Sequence, residues 1–282
     1  MNVHYYISKS RNHTIDIWSF LRSNRSDPSL KVFSLCNYHV CNSSHICNLQ
    51  GFSPKLQDHI LGHLLGCPSQ GDTYGNFSDA EWNMVHIVGN KLFKTSTMTV
   101  NYTSYDIRRD YNLINPRSHL DIMVVSPDSK TNDTLPFWYA CILRIYHADV
   151  WTSHLDIRDN SIHSMNILWV WWIRSESDYN WGFSHACLPK IGFVKWNDPF
   201  AFMFFDPAHV VRGCHLIPAF AEGRTSTLLP EGKSAAHVLV AKETDDWLNF
   251  YIDMCIMTSV TRCKNTDWIY SFTDRCYDFK RL

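Results

Sequence analysis

Residues 167–173 read ILWVWWI, and no other stretch constrains the fold as strongly. Three tryptophans and four aliphatics in succession leave no polar stripe, so the segment needs cover on both faces. It is too short for a buried helix and rich in strand-forming residues, which reads as a strand. Two further runs share this character: FWYACILRIYHADV at 137–150 and FAFMFFDPAHVVRGCHLIPAF at 200–220. Turn-prone segments separate them, so the predicted core is mainly β with flanking helices, in the form of a small SH3-like or related β barrel.

Along 137–146, Trp138, Ala140, Ile142, Arg144 and Tyr146 share one face, and Phe137, Tyr139, Cys141, Leu143 and Ile145 the other. Both faces are apolar, as for a strand deep in the core. Residues 98–102 alternate Met, Thr, Val, Asn, Tyr in the period of a half-buried strand. Residues 122–125, 187–193 and 200–205 predict further short strands, and 209–217 a last one, with Gly213 marking a bulge or a close backbone approach. Asn115-Pro116-Arg117 reads as a turn.

The segment FSDAEW at 77–82 carries a helix start: Ser78 as cap, Glu81 to reciprocate, and Phe77 with Trp82 as a staple. Val85, Val88 and Leu92 extend an apolar face, predicting a helix over 79–92. A second short helix is predicted after Thr244 or Asp245, bearing Trp247, Phe250, Tyr251 and Met254. The expected organisation is an irregular arm with room for short helices over 1–75, a capped helix plus β-barrel module over 76–221, and a polar excursion, short helix and weakly ordered tail over 222–282.

Charge is nearly balanced, with 26 Lys and Arg against 27 Asp and Glu. No global field draws the chain to nucleic acid, so any such contact needs a local patch. No apolar run reaches the roughly 20 residues of a membrane span, and no signal-like stretch follows Met1. An intracellular protein with reduced thiols is the expectation for its 10 cysteines.

Several clusters suggest chemistry. Cys36, His39, Cys41, His45 and Cys47 are residue types that hold zinc, but their spacing lacks paired knuckles. Asp58, His59 and His63 lack the His-Glu-x-x-His order of a metalloprotease, and Gly232-Lys233-Ser234 lacks the upstream glycine of a phosphate loop. His147 and Asp149 form a base-orienting pair without an evident nucleophile, and His209, Cys214 and His215 alternate in direction. No catalytic residue, metal ligand or cofactor site is assigned. Asp106, Arg108, Arg109, Asp110, Arg117, His119 and Asp121 are the densest mixed-charge group, suited to a salt-bridged surface or a phosphate-contacting rim.

The segments NYTSYDIRRDYNLINPRSHLDIMVV, PFWYACILRIYHADV, ILWVWWI, LPKIGFV, FAFMFFDPAHVVRGCHLIPAFAEGRTSTLL and DDWLNFYIDM, in this order, resemble the carboxy-terminal region of Plavaka-type CACTA-like transposon proteins of mushroom-forming fungi. The resemblance is strong from Asn101 to Leu229. It implies an accessory module detached from a strand-transferase core, with a role at DNA or chromatin and hence in the nucleus. Cys141, Arg144, Trp171, Ser184, His185 and Cys187 depart from the group's pattern, and CIMTSVTRCKNTDWIYSF replaces its acidic, glycine-rich tail.

The leading expectation is thus a noncatalytic accessory module that engages DNA or chromatin through a rim of Arg108, Arg109, Arg117, Arg212 and Arg224. One alternative is a peptide-binding aromatic surface built from Tyr139, Tyr146, Trp169 and Trp171, with Tyr179 as a further ring. The other is a metal-dependent nuclease or hydrolase using Asp106 or His147.

Overall fold

The computed structural model describes residues 51–67, 77–103, 109–118, 120–125, 137–176, 179, 181, 187–229 and 246–252, with the backbone alone at 31–34 and 103. Two long strands, β7 (Phe137–Thr152) and β8 (His163–Ser175), form its spine. They pair antiparallel along nearly their whole length, with one register slip between Ile142 and Arg144.

The spine changes partners halfway. The outer edge of β7 is taken by β6 (Asp121–Val125) along 137–141, then by β3 (Lys91–Thr95) and β2 (Val85–Ile87) along 145–152. The outer edge of β8 is taken by β10 (Phe202–Phe205) along 168–171 and by β9 (Lys190–Phe193) along 173–175. A strand that switches neighbours must bend, and the extra residue at the slip supplies the local twist. The sheet continues from β9 through β15 (Phe250–Ile252) to β12 (Leu216–Pro218), and from β3 to β1 (Lys31–Ser34).

Described strands β1 and β12 end this path without pairing to each other, so the sheet is curled and open. This is the mainly β, barrel-related fold with flanking helices that the apolar runs predict, in the form of a half-barrel. Trp169 and Trp171 are completely enclosed among Phe193, Phe202 and Phe204, which is why ILWVWWI carries no polar residue. Burying each ring system removes about 150–250 Å² from water, on the order of 4–6 kcal/mol by area as an upper value.

Helix α1 (Phe52–Leu64) packs Phe52, Leu56, His59 and Ile60 against β10 and the aromatic core. The predicted cap is present: Ser78 Oγ accepts from the Glu81 N–H, and Glu81 Oε2 accepts from the Ser78 N–H at 2.7 Å. The helix it starts, α2 (Asp79–Trp82), is one turn long rather than reaching residue 92. Val85 to Ile87 instead join β7, and Gly89 and Asn90 take positive φ angles of 62° and 52° that no helix tolerates. The free edge of a long strand outcompetes a weak helical period.

Two other expectations are corrected. The segment after Asp245 forms strands β14 (Asp246–Trp247) and β15, because Phe250 to Ile252 find edges on β9 and β12. The run 209–217 divides into β11 (Val210–Gly213), paired with β6, and β12, paired with β15. The Cys214 N–H donates to the Asp121 carbonyl at 2.9 Å, ending the first pairing before the chain crosses over. Among the described residues, no helix is long and apolar enough to cross a membrane.

Candidate nucleic-acid interface

Strands β4 (Met98–Thr103) and β5 (Arg109–Ile114) form a two-stranded hairpin beside β11. One face carries Met98, Val100 and Tyr102 on β4, opposite Ile114, Asn112 and Asp110 on β5; Met98, Val100 and Ile114 are buried, and Asp110 at its end is exposed. Asn112 Oδ1 accepts from the Gly213 N–H at 3.2 Å, and a Cβ on Gly213 would meet Ile114 Cδ1 at 3.0 Å. Gly213 is therefore the close-approach point its sequence position suggests.

Strand alternation then fixes the outward face. Arg109, Tyr111 and Leu113 point to solvent, with Tyr111 64% and Leu113 53% exposed, and Arg117 is exposed in the turn that follows β5. In that turn Asn115 Oδ1 accepts from the Arg117 N–H at 2.9 Å, and the Asn115 carbonyl accepts from the Ser118 N–H. Asp110 is the sole carboxylate among the described hairpin residues and faces the other way, accepting from the Tyr102 hydroxyl at 3.0 Å. The outward face pairs a cation with an exposed ring and carries no described carboxylate.

The proposed rim is only partly assembled. Arg109 and Arg117 lie along β5 and its exit, and Arg108 falls outside the described residues. Arg212 is buried, its guanidinium 4.2 Å from the Tyr102 ring centroid, where burial lowers its pKa against the favourable influence of Tyr102 and Asp110. It supports the hairpin from beneath. Arg224, on β13 (Arg224–Thr225), stacks 4.6 Å from Trp247 of β14 in a separate ribbon.

The aromatic-cage residues are core. Tyr139, Tyr146, Trp169 and Trp171 are 2%, 4%, 0% and 0% exposed, so as placed they offer no ring face to a peptide. Trp171 Nε1 donates to the Val194 carbonyl at 2.7 Å. Tyr179 already has a cation, Lys190 Nζ at 4.5 Å, itself bonded to Glu222 at 2.6 Å.

The fold brings together two polar clusters that sequence spacing did not disclose. On the outer side of the spine, His147 Nδ1 lies 3.1 Å from Asn166 Oδ1, and its Nε2 lies 3.2 Å from Ser164 Oγ. The Ser164 hydroxyl donates to Asp149 Oδ1 at 2.6 Å. One hydroxyl proton cannot serve both acceptors, and a carboxylate at that distance holds it. A nucleophilic serine would need its proton on the imidazole side, so the row cross-links β7 to β8. Only the β7–β8 register reveals Ser164 and Asn166 as partners.

The second cluster places Asp121 between Cys141, its cross-strand partner, and Cys214. Burial raises the Asp121 carboxyl to about 7, and its Oδ1 is sealed without a hydrogen bond. Both thiols are buried and pushed well up, by burial first and then by Asp121, which makes them poor nucleophiles. Among the described residues no group of three His, Cys, Asp or Glu side chains is arranged to hold a metal. Cys36, His39, Cys41, His45, Cys47, Asp106 and His119 lie outside the described residues.

No family model, curated protein or solved structure matches the chain.

Proposed function

We propose that this chain is a noncatalytic accessory module that binds nucleic acid through the outward face of the β4–β5 hairpin, the role implied by its resemblance to the Plavaka-type carboxy-terminal region. One observation carries the reading: alternation along β5 puts the exposed Arg109, Tyr111 and Leu113 on one face, while Asp110, also exposed, lies on the opposite face and accepts from Tyr102. Arginine neutralises phosphate, and an exposed ring offers a stacking platform to an unpaired base. Two solvent-facing cations suit a weak, salt-sensitive contact that assists a larger assembly.

Titration of the full-length protein with single-stranded and duplex DNA at low salt tests this. Loss of tenfold or more in affinity on Arg109→Glu, and a preferential loss of single-strand binding on Tyr111→Ala, are expected. Equal binding by wild type and both variants would reject the hairpin face.

A further inference from the structure

Helix α1 seals the most aromatic part of the core. Phe52 sits 4.8 Å from Phe204, 5.1 Å from Trp169 and 6.1 Å from Tyr146 between ring centroids. Leu56 and Ile60 continue this face, but between them sits His59, 1% exposed and 6.1 Å from the Phe204 ring. An ionisable ring occupies the place of a core aliphatic.

Polar contacts pin the two ends of the helix to the two ends of β10. Lys55 Nζ donates to the Pro199 and Phe202 carbonyls at 2.6 and 2.9 Å. His63 Nδ1 lies 3.3 Å from Asp206 Oδ2, and Asp206 Oδ1 accepts from the Ala208 N–H at 2.7 Å. Along the side of the helix, Asp58 Oδ1 accepts from Trp82 Nε1 at 2.6 Å and Gln57 Nε2 donates to the Trp82 carbonyl at 3.3 Å.

We propose that α1 is an acid-released lid, in which protonation of His59 undocks the helix and uncovers the aromatic floor of Tyr146, Trp169 and Phe204. In the docked state burial holds the His59 imidazole down to about 3, opposed by Asp206 and reinforced by the neighbouring His63 and His209. Undocked, it regains an ordinary value near 6.5. The open state therefore binds one more proton below that pH, and its population rises about tenfold per unit as pH falls.

The surrounding groups set the window. His63 is raised by Asp206, so its stabilisation is fully present below about 6.5 and is lost as pH rises through the raised value. Asp206 is held low by His63 and the Ala208 N–H despite its burial, so its contribution survives until strongly acid pH. Lys55, lowered by burial to about 8, is charged in both states throughout the range of His59. Asp58 is raised by burial and acts in the opposite sense, only near the carboxylate range. Docking is thus tightest near neutrality and weakens on acidification through His59.

Amide hydrogen exchange on the full-length protein, corrected for the intrinsic pH dependence of exchange, tests the lid. Opening of α1 is expected to rise from pH 7.0 to 5.0 by less than the roughly twentyfold to thirtyfold of one buried histidine, because His63 opposes it, while β7 and β8 stay protected. His59→Gln should abolish that rise. His63→Gln should increase opening at both pH values and steepen the acid response to the full, roughly twentyfold to thirtyfold, rise of His59 alone. Equal protection of α1 at the two pH values, or the same acid response in His59→Gln, would overturn the proposal. Should His59→Gln fail to fold, His59→Phe replaces it with the same expectation.

Discussion

The Arg212 guanidinium lies 4.2 Å from the centre of the Tyr102 ring, and the Tyr102 hydroxyl reaches on to Asp110 at 3.0 Å. This stack makes Arg212 a strut between β11 and the hairpin. It also accounts for the orientation of Asp110, which leaves the outward face to Arg109 and Tyr111.

Replacing Arg212 should consequently cost stability without a direct loss of nucleic-acid contact. Arg212→Ala is expected to destabilise by about 2–3 kcal/mol, because it removes a buried cation–π contact and exposes the underside of the hairpin. Urea unfolding measures this. Arg212→Lys should recover little, since an ammonium does not stack as a plane.

Trp169 has no exposed surface and contacts Phe52, Phe202 and Phe204. Trp169→Ala should cost about 3–5 kcal/mol. A variant that unfolded at the same denaturant concentration as wild type would contradict the enclosed-core assignment.

Asp121 gives a pH signature of its own. Its carboxyl is raised from 3.8 to about 7 by burial, so the folded state binds more protons than the unfolded chain between those values. Stability is favoured at low pH and falls as pH rises from about 4 through 7, by up to about 4 kcal/mol from this group. Asp121→Asn should remove that slope and raise stability at pH 7.5, measured by denaturation at several pH values. Global unfolding also frees His59, whose slope has the opposite sign, so the Asp121 contribution is read as the difference between wild type and Asp121→Asn.

The reciprocal cap at Ser78 holds a helix of only one turn. Ser78→Ala should cost about 0.5–1 kcal/mol, and amide exchange should place the loss in residues 79–83 and at the neighbouring β2 edge.

Much of the core was legible because it depends on local pattern. Alternation located β4, the apolar runs located β6, β7, β8 and β10, and the cap located the start of α2. Pairing partners were not legible. Val85 to Ile87 and Phe250 to Ile252 looked helical because their apolar spacing suits either period, and only a long neighbour with a free edge decides for strand. The site followed the same division. Arg109 was legible as part of a mixed-charge group, but its sharing a face with Tyr111 requires the β4–β5 register, and the burial of Arg212 requires the β11–β6 pairing and the approach of Gly213 to Asn112. Likewise His59 reads only as part of a failed metalloprotease spacing, and its buried place on α1 against β10 and Asp206 emerges from the packing.

The most direct test of the proposed function is the salt dependence of DNA binding by wild type and an Arg109→Gln/Arg117→Gln double variant. The account predicts that log affinity falls with log salt concentration, and that the double variant binds more weakly with a slope shallower by about one to two phosphate contacts. Identical slopes and affinities for the two proteins would contradict it.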